Sequence, residues 1–69
     1  MYQQFLQIVA GLNKGTKFEI THDWLLAHGI NASPGDAKSI GLRFAKSFAQ
    51  YNCKQLGKGT DNHLLYEKL

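Results

Sequence analysis

Ser33-Pro34-Gly35-Asp36 constrains this chain more than any other stretch of its sequence. Proline lacks an amide hydrogen and its ring clashes with the preceding turn, so no regular helix runs through Pro34. At the first position of a helix the same ring is favourable, because that amide has no partner anyway. Ser33 supplies an N-cap acceptor, and Asp36 stands three residues later, where a capping box places its acid. Aspartate reaches less far than glutamate, which leaves the reciprocal bond open; the helix start does not depend on it. Ile30-Asn31-Ala32 is then a short connection between two helices.

Downstream of that boundary, Ala37, Ile40, Gly41, Phe44 and Phe48 recur at helical spacing, with Tyr51 near the end. They predict a helix over 34–50. Opposite this stripe, Ser39, Arg43, Lys46 and Gln50 form a polar one, and Lys38, Leu42, Ala45 and Ala49 occupy the flank between. Gly41 in mid-helix costs about 1 kcal/mol relative to alanine. Either another helix packs closely there or the cost is tolerated.

Upstream, Tyr2, Phe5, Leu6, Ile8, Val9 and Leu12 lie opposite Gln3, Gln4 and Gln7, predicting an amphipathic helix over 2–13. Asn13-Lys14-Gly15 closes it. Phe18 and Ile20 alternate with polar neighbours in a strand at 17–20. Thr21 reads as an N-cap and Asp23 suits the first turn of a helix over 22–28. That helix carries Trp24, Leu25 and Leu26 toward the core and stops at Gly29. Strands at 53–56 and 63–67 flank the loop from Gly57 to Asn62 as a hairpin. Leu64 and Leu65 point to opposite faces, which leaves the buried face of this hairpin open.

The chain has 69 residues, 43% of them hydrophobic and 19% charged, which suits one small folded domain rather than a disordered segment. One cysteine, Cys53, excludes an internal disulfide and suits a reducing, cytoplasmic setting. The longest apolar run, Ile8 to Leu12, is far too short to cross a bilayer, and no signal layout opens the chain. A catalytic cleft with a cofactor is hard to build at this size. The expectation is a binding module with no enzyme activity, no cofactor and no membrane association. His22 and His28 are six apart, which puts them about 120° from a shared helical face, and no second cysteine completes a zinc set. Cys53 and His63 face each other only if the hairpin pairs them, and no oxyanion donor or orienting group accompanies them. Gly57-Lys58-Gly59-Thr60 lacks the spacing of a phosphate-binding loop and opens no helix.

The order helix, strand, helix, helix, strand, strand is that of an α+β winged helix-turn-helix domain, in which the third helix usually enters the DNA major groove. Charge follows the same order. Residues 37–60 hold Lys38, Arg43, Lys46, Lys54 and Lys58 with no acid, whereas the flanking segments are each net acidic. A basic excess confined to the third helix and the wing points to an anionic partner, double-stranded DNA first. Ser39, Arg43, Lys46 and Gln50 are the candidate base readers, with Arg43 suited to guanine. Lys38, Lys54 and Lys58 are the candidate phosphate contacts. A protein-docking module on the same fold is the alternative, favoured by a net charge of only +3 and a single wing lysine. A monomer of this charge binds DNA poorly, so the DNA reading calls for a homodimer.

Gly15-Thr16-Lys17-Phe18, Gly35-Asp36 with Ile40-Gly41 and Phe44, and Leu56-Gly57-Lys58 with Asn62 and Tyr66 follow one another in order. The chain in this respect resembles a family of small bacterial and phage proteins of unknown function, over about residues 15–69. The resemblance implies one domain and a phage or mobile-element setting. It implies no catalytic or binding residue. Ala37 stands where that family has Arg or Lys after Gly-Asp, and the loop between the second and third helices also differs.

Overall fold

The computed structural model describes residues 1–59 and 63–69, so Thr60, Asp61 and Asn62 of the expected hairpin loop lie outside the described residues. Both halves of the capping box are made. The Ser33 side chain accepts from the Asp36 amide at 3.0 Å, and the Ser33 amide donates to Asp36 Oδ2 at 3.0 Å. They start helix α3, Pro34–Phe44. Thr21 caps the preceding helix, α2 (His22–Ala27), by accepting from the Trp24 amide at 3.0 Å. Before them come α1, Tyr2–Ala10, and strand β1, Lys17–Glu19; after them come a 3₁₀ helix, Phe48–Tyr51, and strands β2, Cys53–Lys58, and β3, Leu64–Lys68. Among the described residues this is a small α+β domain, three α-helices on one antiparallel sheet of strand order β1-β3-β2.

β3 is central because it carries the hydrogen bonds of both neighbours. Phe18 pairs with Tyr66 across β1 and β3, and Gln55 pairs with Tyr66 across β2 and β3. Tyr66 is buried and stacks on Phe18 at 5.8 Å, which settles the face left open by the sequence. Leu64 lies on the core side with it. The register slips between Gln55 and Gly57, so Leu56 bulges out of the ladder, and Gly57 takes φ +103°, a conformation that favours glycine.

Three boundaries differ by two residues or more from those the sequence predicts, while α2 and β1 each end one residue early and β3 lies one residue later than expected. The helix expected over 34–50 ends at Phe44 and resumes only as the 3₁₀ helix. Between them the Lys46 amide bonds to Arg43 and the Ser47 amide to Phe44, the tighter pattern of a closing turn. The Ser47 hydroxyl also donates to the Arg43 carbonyl at 3.3 Å, in competition with the helical ladder. The turn brings Phe48 to 5.5 Å from Tyr66 and Tyr51 to 6.1 Å from Phe44, ring contacts that outweigh an unbroken helix. α1 stops at Ala10 rather than at residue 13, where Lys68 Nζ donates to the Ala10 and Leu12 carbonyls. β2 runs two residues beyond its expected end, through the bulge. One core expectation also fails: Leu25 is fully buried, but Leu26 on the same helix is exposed.

Gly41 has no close neighbour. Among the described residues nothing beyond its own helix backbone and chain neighbours lies within 4 Å of the place a Cβ would occupy, so none of the described helices packs against it. Gly41→Ala therefore stabilises the domain by up to about 1 kcal/mol, raising Tm by roughly 4–8 °C in a thermal melt.

The Ser33 amide, then its hydroxyl, hold the Asp36 carboxyl below the ordinary 3.8. Folding thus favours the charged form. Its contribution is complete above the unfolded value and is lost as pH falls through the lower folded one. Denaturant melts of Asp36→Asn across pH will show a deficit at neutral pH that closes below the ordinary carboxylate range.

Candidate functional site

The two sides of α3 meet different neighbours. Ala37, Ile40 and Phe44 are buried, which turns the remaining residues to one flank or the other. Lys38, Gly41, Leu42 and Ala45 flank the hairpin, while Ser39 and Arg43 flank α1. On the hairpin side a half-open groove of about 520 Å³ runs between α3 and β3. Pro34, Ala37, Gly41 and Ala45 line its helical side, Leu64 and Tyr66 its sheet side, and Ile20, His22 and His63 complete it. Leu42 lines it too and is 62% exposed. Among the described residues that line it, Lys38 alone has a fixed charge and none is acidic.

On the α1 side lies a smaller hollow of about 150 Å³ lined by Met1, Tyr2, Asp36, Ser39, Ile40 and Arg43. The Arg43 guanidinium lies 4.0 Å from the centre of the Tyr2 ring. A cation over an aromatic face at an exposed position is worth about 0.5–1 kcal/mol. Tyr2 Oη is in turn 3.4 Å from Ser47 Oγ, the hydroxyl that bonds back to Arg43. Arg43 thus fastens the end of α3 to the start of α1.

The polar stripe expected on one helix is consequently divided. Ser39 and Arg43 belong to α3, Lys46 to the turn after it and Gln50 to the 3₁₀ helix. Of the expected phosphate contacts, Lys38 lines the groove, while Lys54 faces Glu67 at 3.8 Å. That pair is solvent-accessible and contributes at most about 1 kcal/mol. Lys58 is exposed at the far end of β2. The groove formers Gly41, Ala45 and Leu64 were not among the sequence candidates, and Leu42 was legible only as a flank residue that covers the second helix or centres a dimer contact. Their one signal was the apolar flank of Leu42, Ala45 and Ala49 beside the charged stripe.

Cys53 and His63 lie at opposite ends of the hairpin, since Cys53 pairs with Lys68 and Lys58 with Leu64. They form no thiol–imidazole pair. The Cys53 thiol is buried and donates to the Tyr51 carbonyl at 3.5 Å. Burial pushes its pKa up, with Lys68 acting weakly the other way. The His28 ring lies against Trp24 in a tilted contact, 4.0 Å between ring centres, and His22 reaches the groove instead. Among the described residues no group of three or more His, Cys, Asp or Glu could hold a metal ion, and no helix is long and apolar enough to cross a membrane.

No family model, curated protein or solved structure matches the chain.

A raised thiol pKa and burial together make Cys53 a poor nucleophile. A chromogenic disulfide reagent will label it far more slowly in the folded protein than in guanidinium. Equal rates would mean that the Cys53 end of the hairpin opens freely.

Proposed function

We propose that this chain is a binding module on a winged-helix type of fold, with the groove between α3 and β3 as its working surface and a protein as its partner. The element order and the β1-β3-β2 sheet support the winged-helix assignment, since together they set a hairpin beside the third helix. The observation that carries the function is the lining of the groove. Its volume falls in the range of ligand sites, and its walls are apolar with few polar groups, the usual make-up of such a site. A leucine exposed at its edge adds to the apolar surface that protein contacts use.

Double-stranded DNA is the second reading. It is favoured by the absence of any acid between residues 37 and 60 and by the exposure of Lys38, Lys46 and Lys58. It is weakened by the division of the polar stripe. With Arg43 on Tyr2 and Lys54 facing Glu67, fewer cations remain for a duplex than the sequence suggested.

An NMR titration separates the two. Indole, a small apolar probe, should shift the amides of Gly41, Leu42, Ala45 and Leu64. A mixed-sequence duplex should leave them in place. Shifts from the duplex at Lys38, Lys46 and Lys58, with affinity falling by about two to three orders of magnitude between roughly 50 and 200 mM salt, would hand the function to DNA.

A further inference from the structure

We infer that the groove receives a short acidic and apolar segment of a partner protein, one apolar side chain of which sits over Gly41. This rests on the groove being the working surface. The helical wall consists of Pro34, Ala37, Gly41 and Ala45, side chains of three carbons or fewer. Among the described residues, the space above Gly41 is open to beyond 4 Å from its absent Cβ. An incoming side chain can therefore reach the helix backbone itself, with Leu42 as the lip. Small residues beside a large exposed one form the kind of socket that anchors one apolar residue of a peptide.

Charge selects the flank of that peptide. Lys38 gives the groove its fixed charge, and none of the described residues that line it is acidic, so a carboxylate near the apolar anchor meets a cation. A second copy of this chain fits less well, because each carries a net charge of +3. A duplex fits less well too. Phosphates need rows of positively charged donors, and among the described lining residues Lys38 alone carries a fixed positive charge, beside the apolar Ile20, Ala37, Leu42 and Leu64.

The test is selection from random peptides of about a dozen residues displayed on phage, followed by NMR mapping of the winners. Enriched peptides should place Leu, Phe or Trp within a few positions of Asp or Glu and shift Gly41, Leu42, Ala45 and Leu64. Gly41→Leu should weaken their binding by about tenfold or more while the circular dichroism stays helical. Leu42→Glu, a change on the exposed lip, should do the same, and Lys38→Glu should turn the selection toward basic flanks. Peptides that sit in the groove without an acidic residue would overturn the partner class and leave the groove standing. No enrichment, shifts elsewhere, or indifference to both Gly41→Leu and Leu42→Glu would overturn both. Displacement of the peptide by a duplex that shifts the same amides would overturn the inference in favour of nucleic acid.

Discussion

Phe44 is the contact on which the rest of the structure turns. Fully buried, it meets Phe5 of α1 edge-on at 5.1 Å, Tyr66 of β3 edge-on at 5.0 Å and the ring of Tyr51 at 6.1 Å. It lies 6.2 Å from Phe18 of β1 as well. One side chain thus joins the N-terminal helix, two strands and the 3₁₀ helix. Such ring pairs add about 0.5–1.5 kcal/mol each beyond the area they bury. In a domain of 69 residues, where little surface is available to bury, contacts of this kind are a large share of the net stability.

The end of α3 at Phe44 follows from the same cluster, and the placement of the charged residues follows from that end. A helix continued to residue 50 would carry Lys46 and Gln50 along one ridge with Arg43. The turn at 45–47 instead swings Phe48 onto Tyr66 and leaves Ser47 between Arg43 and Tyr2. Periodicity alone could not reveal this, because Phe44, Phe48 and Tyr51 fall on one face of an unbroken helix as readily as on a broken one. What decides is the sheet across from them, and that is assembled from residues far along the chain.

Local chemistry was the legible part. The caps at Thr21 and Ser33, the element order and the buried positions Phe5, Val9, Ile40 and Phe44 all follow from spacing and side-chain type. The full capping box shows that aspartate can close the reciprocal bond here. Non-local pairing was the illegible part. The buried face of the hairpin depended on Tyr66 meeting Phe18, forty-eight residues earlier in the chain. The site suffered from the same limit. Arg43 is drawn to α1 by an aromatic ring that a sequence pattern places on a different helix, and the groove exists only where α3 and β3 face each other.

Gly41 and Gly57 show how a local cost is to be interpreted. Gly57 has φ +103° in a bulge, so the backbone itself explains it. Gly41 lies in regular helix with open space above it, so neither backbone nor packing explains it. Alanine at that position would strengthen the helix. A locally unfavourable residue with no structural return is what a functional surface leaves behind, because selection there acts on the partner's fit rather than on folding. Its neighbour Leu42 makes the opposite departure, a large apolar side chain held in solvent. The two departures are adjacent, one making room and the other supplying a lip, and both face the same groove. Either alone is an ordinary surface irregularity; side by side, they support the proposed reading of this flank of α3 as a binding surface.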